Sequence, residues 1–288
     1  LVIIVKKQSA LLIDIIQSRE LEQRSEVQNA VFKLTVFLND VFKTQIIKDI
    51  EFSSGDALQG LLVDSGSAFL YFRALQLFLY PVKLRATIGY GTISFNDARY
   101  SSNAIDGEAY HNARAGMECI YNSNGIEIVY VSNQREDLTI NLLFNSYTNI
   151  WKNITTSIYE VMLINELLNP LTLIDELTFS NFKEILAEVP LNFMGVQAGD
   201  ESLQLIATKI AKIKKSIFQQ ALNLQKAQAT KTTSFRFDNN VYVSYGIQNI
   251  IAEQVGTTRQ NIQKIFSNNI KDERMYAAEI ALYLNEKG

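Results

Sequence analysis

Apolar and polar positions along this chain follow two periods, one of helices and one of strands. Val27, Val31, Leu34, Leu38 and Val41 fall on one side of a helix, so Arg19 to Phe42 is expected to be helical. Ser65–Tyr80 has the same period and Pro81 stops it; Asp106–Cys119 is a third helix. Strand-like runs lie between them: Ser9–Ile16, Ile46–Phe52, Ala57–Val63, Lys83–Ile93 and Ile126–Val131. Ser53-Ser54-Gly55-Asp56 separates the second and third runs with hairpin-turn residues, and Asn124-Gly125 introduces the last. Residues 1–134 therefore read β-α-β-β-α-β-α-β, a mixed sheet with helices on one face.

After Gln134 the pattern becomes helical: 135–168, 171–188, 200–228, a helical pair near 248–266 and a last helix near 273–286. Asn169-Pro170 and Val189–Asp200 have loop composition, and Thr233–Tyr245 suits either a hairpin or a loop leading into a helix. The expected division is an α/β domain at 1–134, a helical connecting or dimerising region at 135–230, and a terminal module at 231–288.

A length of 288 residues with 47% apolar content is ample for more than one packed core. Cys119 is the only cysteine, which excludes an internal disulfide framework and fits a reducing compartment. No apolar run approaches the roughly 20 residues that span a bilayer. Leu1–Val5 is too short for a signal-peptide core, and the absence of an initial Met gives the expectation that the natural start lies elsewhere. A cytoplasmic protein is expected. The net charge of −3 does not advertise a nucleic-acid partner, but cations are concentrated late in the chain. Lys209, Lys212, Lys214, Lys215, Lys226, Lys231 and Arg236 precede Arg259, Lys264, Lys271 and Arg274. Such an end suits a phosphate-facing module, or simply solvated helices.

Gln248–Phe266 (QNIIAEQVGTTRQNIQKIF) carries the sharpest local pattern. Ile251, Val255, Ile262 and Ile265 give two short helices a shared apolar stripe; Ala252 allows a close crossing, and Gly256 supplies the positive φ of a tight turn. Thr257 with Gln260 three residues on forms a capping box for the second helix. The segment resembles the DNA-binding helix-turn-helix, whose second helix enters the major groove. Thr258, Arg259, Gln260, Gln263 and Lys264 are then its DNA-facing residues, with Arg and Gln suited to bidentate bonds on base edges. A helical hairpin with a polar surface is the alternative.

Asp14 stands inside the apolar run Leu11-Leu12-Ile13-Asp14-Ile15-Ile16, where a charge must be hydrogen-bonded, terminal or bound to a cation. Asp56 lies at the hairpin tip, which this topology can bring beside Asp14. The two are either a capping and a turn aspartate, or a carboxylate pair that holds Mg²⁺.

DIIQSRE (Asp14–Glu20), SSGDALQGLL (Ser53–Leu62), RATIGYG (Arg85–Gly91) and DGEAYHNARAGME (Asp106–Glu118) resemble, in order, the landmarks of class III nucleotidyl cyclases. They are most similar to the SatD family of bacterial proteins, itself similar to a cyclase-like domain followed by a helix-turn-helix. The resemblance spans residues 9–131 and 245–268. It implies an α+β fold: an N-terminal cyclase- or ferredoxin-like mixed sheet with helices, then an all-α C-terminal region containing the helix-turn-helix. It implies that Asp14 and Asp56 bind Mg²⁺, that Arg85 and Gly55 contact a purine nucleotide, and that Arg114 stabilises phosphate in the transition state. Three positions depart from the cyclase pattern: Tyr110 in place of the catalytic asparagine, Phe52 in place of the purine-selecting lysine, and Thr87 in place of a strand glycine. Loss of the asparagine removes a group that orients the attacking hydroxyl, so the departures leave room for metal binding while making cyclisation doubtful. The implied function is a DNA-binding regulator with a nucleotide-sensing or dimerising domain, working as a homodimer on double-stranded DNA. The alternative is a Mg²⁺-dependent nucleotide cyclase or related enzyme.

Other chemistry is sparse. His111 is the only histidine, which leaves little material for a His-based metal cluster or a triad. Gly89-Tyr90-Gly91 suits close nucleotide approach, a bulge or tight helix packing. Trp151, Tyr159, Phe179 and Phe182 suit a core or dimer surface better than a stacking platform.

Overall fold

The computed structural model describes residues 6–21, 24–94, 105–123, 125–168, 171 and 247–287. The helices expected at 171–188 and 200–228, the segment 233–245 and the cations from Lys209 to Arg236 lie outside the described residues. Two compact units divide the chain, residues 1–149 with 279–288 and residues 150–278.

The first unit is built on five strands, β1 (Gln8–Ile15), β2 (Ile46–Ser54), β3 (Ala57–Leu62), β4 (Leu84–Gly91) and β5 (Ile128–Val131), in the order β2-β3-β1-β4-β5. β4 and β5 are parallel and every other neighbouring pair is antiparallel. Helices α1 (Arg24–Val41), α2 (Ser65–Leu79) and α3 (Glu108–Tyr121) follow β1, β3 and β4, so the expected β-α-β-β-α-β-α-β order is observed. β1 through β4 have the ferredoxin-like arrangement.

Helices cover both faces, not one. Odd-numbered β1 residues face α1 and α2, as the contact of Ser9 Oγ with Ser65 Oγ (2.7 Å) records. Even-numbered ones face α3: Ala10 packs with Ala109, Tyr110 and Ala113. The β3–α2–β4 and β4–α3–β5 connections step the same way across the sheet but on opposite faces. They therefore have opposite hands, and one runs against the right-handed rule for such crossovers. Periodicity marks which residues of a helix are apolar, not which face of a sheet receives them.

α3 reaches its face because β4 presents no bulk there. A Cβ at Gly89 would lie 2.1 Å from the Ala109 carbonyl oxygen and 2.3 Å from the Ala113 nitrogen, both backbone atoms. Of the readings open for these glycines, helix packing is the one observed. In return, a Cβ at Gly116 would meet Thr87 Cγ2 at 2.3 Å, so the side chain at 87 is accommodated by a glycine in the helix. On the other face Asp64 caps α2 by accepting the Ser67 N–H (2.7 Å), and Phe69 stacks on Phe144 of α4 (Glu136–Trp151) at 5.2 Å.

Both outer strands are engaged by asparagines. Asn39 of α1 donates to the Ile50 carbonyl (3.0 Å) and accepts the Ile50 N–H (3.2 Å). Asn141 of α4 treats Tyr130 of β5 in the same way, at 2.9 and 2.7 Å.

The span 135–168 is two helices, α4 and α5 (Thr156–Leu168), because Thr155 Oγ1 accepts the Ile158 N–H (3.4 Å) and restarts the helix. In the second unit, α6 (Ile247–Val255) and α7 (Arg259–Ile265) are joined by the turn at Gly256, whose φ is +75°. α7 does not end before the last helix: a π-helical segment, Phe266–Ile270, carries it into α8 (Lys271–Lys287). α8 contributes residues to both units. Glu166 of α5 and Arg274 of α8 form a buried ion pair at 2.5 Å. Trp151 and Tyr159 are buried, as expected of core aromatics; Phe179 and Phe182 lie outside the described residues.

Gly89→Ala should destabilise the first unit by about 1–3 kcal/mol, because the neighbours in its way are backbone and α3 must lift. Urea unfolding checks this; an unchanged midpoint would mean that α3 does not pack this closely.

Candidate functional site

Asp14 is the seventh residue of β1 and faces α3, directly opposite Arg85 on β4 in the antiparallel register. The cation that a charge in this apolar strand requires is therefore the neighbouring guanidinium. Arg85 Nε and Nη2 lie 2.7 and 2.6 Å from the same oxygen, Asp14 Oδ2. Tyr121, the last residue of α3, donates its hydroxyl to that oxygen at 3.2 Å. The Arg85 guanidinium sits 4.1 Å from the centre of the Tyr121 ring, a cation–π contact. Asp14 is only 7% exposed, while Tyr121 is 54% exposed, so the carboxylate is roofed by an aromatic that solvent still reaches. Burial first, and then the Asp14 charge, raises the Tyr121 phenol above its ordinary value.

The β2–β3 turn approaches the same end of the sheet. Ile13 pairs with Leu58, which sets Asp14 abreast of Ala57 and puts Asp56 one residue beyond. The charges of Asp14 and Asp56 both act on Tyr121. Gly55 adopts φ +60°, and its carbonyl accepts a 3.3 Å bond from Gln28 of α1. Asp14, Arg85, Asp56 and Gly55 thus gather at one end of the sheet.

Arg114 is not part of that cluster. It lies on the exposed side of α3 two turns before Tyr121, about 10 Å along the axis. Its guanidinium is 6.0 Å from the Tyr110 ring centre. Tyr110 is fully buried among Ala10, Leu61, Ile105, Ala109 and Ala113, and its hydroxyl has no hydrogen-bond partner among the described residues. Burial pushes that phenol well above the tyrosine range. Phe52 is half-buried on β2. His111 lies 3.3 Å from Asp106, with both side chains exposed.

Two carboxylates at one sheet end are hard-oxygen donors of the kind Mg²⁺ takes, and none of the three bonds to Asp14 falls on Oδ1. The donor set is thus compatible with Mg²⁺, with the qualification that Arg85 already neutralises Asp14. Among the described residues no group of three or more His, Cys, Asp or Glu side chains converges as a metal site.

The second cluster of expected residues is on α7. Ile251 and Ile262 are fully buried, Ala252 nearly so, and Val255 and Ile265 half-buried. The opposite side presents Thr258, Arg259, Gln260, Gln263 and Lys264, all exposed, together with Asn261, Ser267 and Asn268. The cap is one residue later than expected: Thr258, not Thr257, accepts the Asn261 N–H (3.2 Å). Gly256 N and Thr257 N both bond the Ala252 carbonyl, at 3.0 and 2.9 Å, which commits Thr257 to the turn.

Reading the sequence missed Tyr121 and the pairing of Arg85 with Asp14. Opposite charges interrupting two apolar strands were the available signal for the pair; a tyrosine at a helix end gives none.

The sequence model of the SatD family matches residues 9–190, more than half of the chain. No curated protein and no solved structure matches it. No helix among the described residues is long and apolar enough to cross a membrane.

Asp14→Asn should leave Arg85 without its charged partner and cost about 1–3 kcal/mol in urea unfolding. Tyr121→Phe tests the hydroxyl through pH. Its folded-state pKa is raised, so its contribution is complete below the unfolded value of about 10 and is lost as pH climbs through the folded one. The variant should flatten that part of the alkaline stability curve; an identical curve would show the hydroxyl to be uncoupled from Asp14.

Proposed function

The chain belongs to the SatD family, and on that premise we propose that it is a cytoplasmic DNA-binding regulatory protein with a cyclase-like sensing domain. The observation that carries this reading is the outer face of α7. Arg259, Gln260, Gln263 and Lys264 are exposed above a buried Ile251–Ile262 stripe, and no acidic residue occurs from Gln254 to Lys271. Such a helix, set by a glycine turn and capped at Thr258, has the build of a helix-turn-helix reading element. Arg259, Gln260 and Gln263 supply bidentate donors for base edges, and Lys264 supplies charge for phosphate. The protein works as a homodimer, since one such module reads only a short half-site.

The N-terminal domain takes a purine nucleotide with Mg²⁺ at the Asp14–Asp56 end of its sheet. Mg²⁺ held there would neutralise phosphate charge, and Arg85 would supply a guanidinium to the same group. A second reading, a Mg²⁺-dependent nucleotide enzyme, is favoured by the same gathering of Asp14, Asp56 and Arg85. Tyr110 weighs against it. A side chain sealed in the core beneath α3 cannot orient a ribose hydroxyl, and positioning dominates phosphoryl transfer.

Arg259→Ala and Gln260→Ala should each reduce discrimination between operator and random duplex by about 1–3 kcal/mol. Lys264→Ala should weaken all duplexes alike and flatten the salt dependence. Absence of salt-sensitive duplex binding in the full chain would overturn the DNA-binding reading. Light scattering should report a dimer at tens of micromolar protein, an order-of-magnitude assay choice. A monomer there would count against paired modules, and robust cyclic-nucleotide production would promote the enzyme reading.

A further inference from the structure

The contacts on Asp14 concern more than fold stability. One carboxylate oxygen receives two guanidinium nitrogens and a phenol hydroxyl, while the arginine also lies over the phenol ring, 4.1 Å from its centre. A divalent cation approaching Asp14 from the Asp56 side therefore meets a carboxylate that is already neutralised and a positive charge bonded to it. Phosphate is the group that can change this. It accepts a guanidinium fork bidentately and carries more negative charge than one carboxylate. Arg85 is reachable, since its side chain is 24% exposed against 9% for that of Asp14.

We propose that Arg85, steadied by Tyr121, is a latch on Asp14 that a nucleotide's phosphates draw off, so that divalent cation and nucleotide bind this site together and the cation alone binds it poorly. The latch rests on the reading that this end of the sheet takes a nucleotide. When Arg85 turns to phosphate, Asp14 is left with the like charge of Asp56 at the same end of the sheet, and a cation there relieves that repulsion. Coupling of this kind is reciprocal: whatever the nucleotide does for the metal, the metal does for the nucleotide. Tyr121 acts as a positioning residue, its hydroxyl on the carboxylate and its ring under the guanidinium.

Mn²⁺ serves as the probe, with free ion counted by electron paramagnetic resonance in the full chain without nucleotide. Wild-type protein should bind Mn²⁺ weakly. Arg85→Gln should tighten binding roughly tenfold, in keeping with removal of one charge-assisted partner. Tyr121→Phe should tighten it by a smaller factor, and Asp56→Asn should abolish the gain made by Arg85→Gln. Equilibrium dialysis with ATP and GTP supplies the second readout. Wild type should retain nucleotide only with Mn²⁺ present, and Arg85→Gln should lose nucleotide while keeping metal. Equal Mn²⁺ affinity in wild type and Arg85→Gln, with nucleotide still retained by wild type, overturns the latch and leaves the nucleotide site standing. Failure of every variant to bind either Mn²⁺ or nucleotide overturns both.

Discussion

Helix α3 lies on strand β4 with almost nothing between them, and the organisation of the sheet's second face follows from that contact. Gly89 and Gly91 let helix backbone meet strand backbone, and Gly116 receives the Thr87 side chain. At this separation Asn112 can donate to the Tyr90 carbonyl at 2.9 Å, and Asn133 can donate to Asn112 at 2.7 Å. The same closeness seals Tyr110 into the core and lowers the end of the helix until the Tyr121 hydroxyl reaches Asp14. Raising α3 by one methyl group would disturb all of these at once.

The chain thus holds two polar surfaces of opposite character. At the end of the sheet, charge is internally balanced: Asp14 is matched by Arg85, and the tyrosine that roofs them is fixed by both partners. Along α7 nothing comparable occurs, and Arg259 and Lys264 are presented outward among neutral amides.

Much of this was legible in the sequence. Period-two and period-3.6 runs marked the five strands and helices α1, α2 and α3 of the first unit to within a few residues, and Gly256 marked its turn. The difficulties lay in relations between segments. Local periodicity cannot tell which face of the sheet α3 will cover, and that was misjudged. The cap slipped from Thr257 to Thr258 because the preceding turn claimed the first threonine. No proline or glycine marks the break between α4 and α5, and no sequence rule joins α7 to α8 through a π-helical segment. Asp14 announced itself as a buried charge that required a partner. That the partner was Arg85 depended on strand register, and that Tyr121 completed the set depended on where a helix happened to stop.

The asparagines on the two outer strands bear on how this molecule can assemble. Each occupies both the N–H and the C=O of one residue, Ile50 on one side and Tyr130 on the other. A strand from another chain would have to displace that amide before it could register, and on the β2 side it would also meet Lys48, Asp49 and Glu51 along a bulged strand. Open edges are where sheets join end to end into larger arrays. With one residue of each outer strand engaged in this way, sheet extension is hindered at both edges, and any self-association is directed to other surfaces.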